Sequence, residues 1–333
     1  MSQPKVVITD YLEEASVEIP VLADIAEVDL ARARSEAELA THLEQAQVLI
    51  VYHDIPMLTD ETFSRADQCR GVVRAGVGFN NIDREAAGRR GIVVCNVPDY
   101  GTEEVADHTI MLLLATVRGL VACDSAMRRG EWDLHGIRQA TRLRGRTLGI
   151  VGCGRIGTAT ALRAKAFGLD VVFHDPYVPA GLEKALGIRR AASLPELLRQ
   201  SHFVSLHCFL DPSTLHLINA EAFQHMRSGA ILINTARGPV VDQKALIEAL
   251  DSGHLAAAAL DVFEREPLDD EHLRNHPRVI LSPHVAFYSI EGYEEMRRKS
   301  AEEARRLLLG EPPRNPVNLS ILEHPRTSVG RGH

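Results

Sequence analysis

The chain has 333 residues, 45% of them hydrophobic and 25% charged, enough for two domains of ordinary globular make-up. Lys and Arg total 37 against 45 Asp and Glu, so the formal net charge is −8 and composition gives no electrostatic case for a nucleic-acid partner. The cysteines Cys69, Cys95, Cys123, Cys153 and Cys208 are scattered and form no CxxC pair, which points to a reducing, cytoplasmic setting and not to a disulfide framework.

Met1 to Lys5 lead into Val6-Val7-Ile8 with no apolar leader. Short β-branched runs predict strands over Lys5–Thr9, Val48–His53, Gly71–Ala75 and Ile92–Asn96. Thr102 then reads as the N-cap of a long helix, with Glu103 and Glu104 in its first turn and an apolar pattern reaching Leu120. Its longest apolar run, Ile110 to Ala115, is far too short to span a bilayer. The basic cluster Arg142, Arg144 and Arg146 reads as a solvated or subunit-facing loop. A second set of strands is predicted over Thr147–Gly152, Asp170–His174, Phe203–His207, Ala230–Asn234, Ala258–Asp261 and Val279–Ser282. A second long helix runs from about Ser289 to Leu309 and stops at Gly310. A proline-rich loop follows, and from about His324 the chain reads as polar and frayed. The alternation predicts parallel α/β sheets. The flanking helices place the second set as an insert, giving one domain of residues 1–101 and 289–333 and another of 102–288, with hinges near Gly101 and Ser289 and a cleft between them.

The segment Thr147 to Gly157 is a strand running into Gly152-Cys153-Gly154-Arg155-Ile156-Gly157 and a helix. Gly152 permits the tight turn, Gly154 lets backbone approach a diphosphate, and Gly157 lets helix pack on strand. The helix start at Arg155 and Ile156 offers free N–H groups to the phosphates. The next strand ends at Asp175, 18 residues beyond Gly157. A carboxylate there accepts from both ribose hydroxyls and repels a 2′-phosphate, so the expected cofactor is NAD.

Three polar motifs follow later strands: Asn234-Thr235-Ala236-Arg237-Gly238, Asp261 to Pro267, and Ser282-Pro283-His284-Val285-Ala286. Reducing a 2-oxo acid needs a fork of donors for the carboxylate, a proton for the ketone oxygen, and a carboxylate to favour and orient the proton-bearing imidazole. Arg237, His284 and Glu266 fill these roles. Singly, each has a plain structural reading, as a loop cap, a strand-end histidine or a turn residue.

At these residues the chain resembles the D-isomer-specific 2-hydroxyacid dehydrogenase family, and within it the C-terminal-binding-protein branch. The resemblance also rests on Val73 to Asp83, Cys95 to Pro98, Glu103 to Asp107, His174-Asp175-Pro176-Tyr177 and His207-Cys208, in family order from about Val48 to Asn318. It implies two doubly wound parallel-sheet domains, a Rossmann NAD-binding domain inserted into a flavodoxin-like substrate domain, and a homodimer formed through the NAD-binding domains. It implies catalytic Arg237, Glu266 and His284 acting on a small 2-oxo or 2-hydroxy acid. Asp261 is placed on the nicotinamide carboxamide, with Thr102, Thr235 and His207 also at the cofactor. Arg74 and the backbone of Val77 and Gly78 are placed on the substrate carboxylate. Phe287 stands where that branch has Trp, which bears on side-chain preference. No metal and no membrane partner is implied.

Two other roles stay open. An NAD(H)-sensing scaffold, as in the animal corepressors of that branch, would bind NADH yet turn over slowly; a relative acting on formate or phosphite is the other. His272 and His276 are four apart and could clamp a metal, but the sequence shows no third ligand nearby and they read as surface histidines. Cys153, inside the glycine loop, and Cys208 read as small gap-filling residues.

Overall fold

The structure is a computed structural model, and it describes residues 3–53, 55–133, 137 and 140–327. The chain forms two compact units, Met1–Gly101 with Ser289–His333, and Thr102–Tyr288.

The first unit holds a parallel sheet of β1 (Lys5–Ile8), β2 (Glu27–Leu30), β3 (Ala46–Val51), β4 (Gly71–Arg74) and β5 (Val93–Asn96), in the order β2-β1-β3-β4-β5. That order is the flavodoxin-like one. The central strands are apolar on both faces, as parallel strands covered by helices must be. One face packs Leu39, Leu43, Leu49, Phe63 and Ile92. The helix Ile290–Leu309 also belongs to this unit. Ser289 caps it by accepting from Gly292 N–H at 2.8 Å, and Gly310 ends it at φ +71°.

The second unit holds β6 (Thr147–Val151), β7 (Asp170–His174), β8 (Arg189–Arg190), β9 (Phe203–Leu206), β10 (Ala230–Asn234), β11 (Leu255–Leu260) and β12 (Val279–Leu281), in the order β12-β11-β10-β9-β6-β7-β8. Every pairing is parallel. Ile110, Leu112, Leu113, Ile150 and Phe173 fill one core, and Leu197, Leu198, Phe223, Leu246 and Leu250 another.

Four expectations are corrected. The strands β2 and β8 carry no apolar run and are absent from the predicted set. Thr102 is the first helical residue, not a residue outside the helix. The long helix stops at Arg118, because Gly119 turns left-handed at φ +62° and a separate helix, Leu120–Arg128, begins. The chain beyond His324 is not frayed as far as Thr327, since Arg326 donates to the carbonyls of Asp67 at 2.7 Å and Cys69 at 3.0 Å; residues 328–333 lie outside the described residues. Among the described residues no single helix is long and apolar enough to cross a membrane.

Candidate active site

The glycine loop lies at the switch point of the seven-stranded sheet, where the order reverses between β6 and β9. Gly152 has φ +89°, and a Cβ there would sit 2.7 Å from Cys208 N and 2.8 Å from His207 C. Only glycine lets the end of β6 pass beneath the end of β9. A Cβ on Gly157 would overlap the Gly152 carbonyl oxygen, so the helix Arg155–Ala166 is seated directly on the turn. A Cβ on Gly154 would meet nothing within 4 Å, and Gly154 and Arg155 are exposed while Ile156 is half-buried. The result is an open helix N-terminus framed by backbone, a cradle that suits a diphosphate.

Asp175 stands at the end of β7, as the sequence placed it, and has a further task. Its Oδ2 accepts from Cys153 N–H at 2.8 Å and its Oδ1 from Tyr177 N–H at 2.8 Å, so the same carboxylate braces the glycine loop. His207 contacts Ser205 Oγ through Nε2 at 2.8 Å, and its buried Nδ1 has no hydrogen-bond partner. Burial pushes its pKa down to about 3, so it is neutral at any working pH. An orphaned ring nitrogen beside the turn is what a polar ligand would satisfy. These residues therefore fit a dinucleotide. Burial pushes the Cys208 thiol up to about 11 and the Cys153 thiol upward as well, so neither is an activated nucleophile.

The three polar motifs lie at the carboxyl ends of adjacent strands β10, β11 and β12. Asn234 shapes the first loop, accepting from Ala236 N–H at 3.0 Å and donating to the Arg237 carbonyl at 2.9 Å. Arg237 is half-buried and donates through Nη1 to the Ala236 carbonyl at 2.8 Å. A Cβ on the next residue, Gly238, would overlap the Phe263 carbonyl, so the first and second loops touch backbone to backbone.

The second loop offers two carboxylates, and the structure tells them apart. Glu264 pairs with His216 Nε2 at 2.6 Å. Glu266 accepts from Phe263 N–H at 3.0 Å through Oε1, and its Oε2 lies 2.7 Å from His284 Nδ1. The carboxylate accepts, so Nδ1 carries the hydrogen and the lone pair of the neutral ring lies on Nε2. Phe287 meets the His284 ring edge-on, with centroids 6.4 Å apart.

Asp261, 1% exposed, ties this loop down. Its carboxylate accepts from Ser282 Oγ at 2.5 Å, Val285 N–H at 3.1 Å and Ala286 N–H at 2.9 Å. Two residues outside the predicted set join in from the helix Thr102–Arg118. His108 Nε2 is 3.0 Å from Ser282 Oγ, and Thr109 Oγ1 is 2.8 Å from Thr235 Oγ1. The sequence signal for them was their adjacency just after Glu103 to Asp107, but nothing in spacing links positions 126 and 174 residues apart. Thr102 opens that helix and is half-buried.

In the first unit, Arg74 ends β4 buried, with Nη1 donating to the Ala75 carbonyl. Asn96 holds the following loop by donating to the Val77 carbonyl at 2.7 Å; Val77 is half-buried and Gly78 buried. The expectation that His272 and His276 lack a third partner is overturned. Asp251 lies 3.1 Å from His272 Nε2 and 3.4 Å from His276 Nε2. Yet His276 Nδ1 accepts from Arg278 N–H at 3.2 Å, which leaves the proton on Nε2, the only nitrogen facing the group. A metal ligand needs that lone pair, so the trio reads as a hydrogen-bonded cluster.

A family model described as D-isomer specific 2-hydroxyacid dehydrogenase, NAD binding domain, matches residues 110–286, more than half of the chain. The D-3-phosphoglycerate dehydrogenase of Methanocaldococcus jannaschii is 37% identical over 327 residues, which cover 98% of this chain and 61% of that protein. This chain thus spans about three fifths of that relative's length. The crystal structure of an NADPH-dependent glyoxylate/hydroxypyruvate reductase from Sinorhizobium meliloti in complex with NADP and malonate superposes with a TM-score of 0.86 at 30% identity, covering 97% of this chain and 99% of that one. A D-lactate dehydrogenase from Aquifex aeolicus, complexed with NAD and lactic acid, gives a TM-score of 0.83 at 28% identity over 95% and 97% of the two chains. The chain belongs to the D-isomer specific 2-hydroxyacid dehydrogenase family.

Proposed function

We propose that the protein is an NAD-dependent D-2-hydroxyacid dehydrogenase that interconverts a small 2-oxo acid and its 2-hydroxy acid, with His284 as general acid and base. The observation that carries this reading is the 2.7 Å contact of His284 Nδ1 with Glu266, at the same carboxyl end of the sheet as the Gly152–Gly157 loop. A bound nicotinamide would supply or take up the hydride. In reduction His284 Nε2 gives its proton to the carbonyl oxygen as the carbon gains the hydride, and the neutral imidazole is then reprotonated from solvent. In oxidation Nε2 takes the hydroxyl proton. Glu266 accepts from Nδ1 and fixes the ring. Arg237 grips the acid and polarises its ketone, and Arg74 with the Val77 and Gly78 amides is assigned to the acid's carboxylate. Asp261, Thr102 and Thr235 are assigned to the nicotinamide side, and Phe287 to the choice of substrate side chain.

The test is NADH oxidation with a panel of 2-oxo acids; a native protein that binds NADH and turns over none of them would refute the reading. A nucleotide-sensing scaffold predicts that slow outcome, but the relatives at hand carry the names of dehydrogenases and reductases. Asp175 makes NADH the expected cofactor. Like charges about 4 Å apart near a protein surface repel by roughly 1–4 kcal/mol, so kcat/KM should favour NADH over NADPH by about tenfold or more. Asp175→Ala should narrow that ratio, and equal use of both cofactors by the native protein would remove the assignment.

We also propose a cytoplasmic homodimer formed through the NAD-binding unit. The helix Leu120–Arg128 supports it, because none of its residues is buried and Leu120, Val121 and Met127 are exposed. Sedimentation of the native protein as a monomer at micromolar concentration would count against it.

A further inference from the structure

The catalytic histidine sits in a backbone conformation it would not choose. His284 has φ +53°, a left-handed geometry that costs a non-glycine residue on the order of 1–3 kcal/mol unless its surroundings hold it. The hold comes from Asp261. Its carbonyl accepts from His284 N–H at 2.8 Å, a hydrogen shared with the Ser282 carbonyl at 3.1 Å, and its carboxylate takes the two amides that follow, so one buried residue tethers the backbone at and beyond the histidine.

The side chain two residues before the histidine matters as much. Ser282 has one hydroxyl proton, and at 2.5 Å it goes to Asp261 Oδ1, since a carboxylate can only accept. The 3.0 Å contact between Ser282 Oγ and His108 Nε2 therefore requires His108 to donate. His108 fixes the hydroxyl so that its proton points at Asp261, and its ring lies 3.6 Å from that carboxylate. The neighbouring residue braces the other catalytic loop by the same logic. Thr109 gives its proton to the Val105 carbonyl at 2.7 Å, so the 2.8 Å contact with Thr235 is a donation from Thr235. Two consecutive residues of one helix thus steady the loops of His284 and Arg237.

We propose that His108 is a positioning residue for His284, acting through Ser282 and the Asp261 carboxylate. The proposal rests on the reading of His284 as the acid and base of a 2-oxo acid reductase. Removing the donor frees Ser282 to rotate, loosens one of the ties on Asp261 and lets the strained loop relax. A shift of about 1 Å at the reacting groups is enough to lower rate by about 10²-fold.

The test compares His108→Leu with His108→Gln, whose amide can donate from near the Nε2 position. His108→Leu should lower kcat for 2-oxo acid reduction by about 10- to 100-fold, with NADH affinity unchanged by fluorescence titration. His108→Gln should restore most of that loss. Adding Ser282→Ala to His108→Leu should cost little more, because both act through one chain of contacts. An imidazole-detected NMR spectrum, with His284 assigned by its loss in His284→Asn, supplies a readout independent of turnover. The His284 ring signals should move in His108→Leu and return in His108→Gln. If the two variants lower only the melting temperature, and the kcat and His284 signals of His108→Leu match the native protein, the proposal is overturned. A native protein that reduces no 2-oxo acid would instead overturn the functional reading, and the NMR comparison would still decide whether His108 positions His284.

Discussion

His284→Asn is expected to lower kcat for 2-oxo acid reduction by about 10²- to 10⁴-fold, the range for loss of a general acid, with NADH binding intact. Asparagine can occupy the space and reach the carboxylate of Glu266, but it has no proton to exchange at neutral pH. The dinucleotide cradle is built at the ends of β6, β7 and β9, whereas His284 follows β12 at the far side of the sheet order, so cofactor affinity should not follow rate. Glu266→Gln keeps the shape of the partner and removes its charge. The carboxylate 2.7 Å from Nδ1 can only accept, so it fixes the ring in one orientation, whereas an amide can present either its oxygen or its hydrogens there. kcat should fall in both directions, by up to about 10²-fold where the ring is displaced by about 1 Å, with NADH affinity unchanged. The measurement is kcat for reduction and for oxidation at saturating cofactor. Native rates in Glu266→Gln would mean that Glu266 is not the partner of the catalytic acid.

Gly238→Ala is expected to damage the site as much as the loss of a contact residue, although Gly238 has no side chain to contribute. The new methyl group would overlap the Phe263 carbonyl. Both partners are backbone, so no rotamer can yield, and the loop of Arg237 must separate from the loop that carries Glu266. Overpacking of this kind costs about 1–3 kcal/mol, which lowers Tm by several degrees in a unit of this size. The larger effect is catalytic. Parting the loops by about 1 Å should lower kcat/KM by about 10²-fold, because the arginine and the carboxylate–imidazole pair no longer face one acid together. Differential scanning calorimetry and steady-state kinetics on the same preparation would show both losses. A variant with lower Tm but native kcat/KM would mean that the two loops do not act as a unit.

Much of this architecture was legible in the sequence because parallel strands buried on both faces announce themselves as apolar runs, as Ala230–Asn234 does. The strand Leu255–Leu260 shows the limit. Its sequence Leu-Ala-Ala-Ala-Ala-Leu favours helix locally, and only its end carries a strand signal; pairing with β10 and β12 makes it a strand from its first residue. Glu27–Leu30 alternates acidic and apolar residues at a sheet edge and carries too little signal to stand out. The site divides the same way. The glycine loop, Asp175, Arg237, Glu266 and His284 lie in compact motifs whose chemistry reads from residue type. The tether of Asp261 on the His284 loop, the His108–Ser282 contact and the backbone collision at Gly238 depend on which strand ends become neighbours in space. The place of Asp251 beside His272 and His276 is hidden in the sequence for the same reason, since 21 residues separate Asp251 from His272.

The first unit is discontinuous, and this sets an order for its folding during synthesis. Its strands β1 to β5 are made first, yet the helix Ile290–Leu309 that packs on β3 and β4 emerges only after the whole of Thr102–Tyr288. The open edge of β5 is closed later still. Val317 N–H donates to the Val94 carbonyl at 2.8 Å, and Asn318 accepts from Val94 N–H and donates to the Ile92 carbonyl. At about 5–20 residues per second, the early strands wait on the order of 10–40 s for these partners. The continuous nucleotide-binding unit can fold on the ribosome in that interval, while an apolar sheet with an unpaired edge, the kind of surface that invites association with other chains, stays exposed. Ribosome-bound chains that end at Tyr288, followed by an unstructured linker long enough to clear the exit tunnel, should therefore protect Thr102–Tyr288 from protease while the first hundred residues remain cleavable.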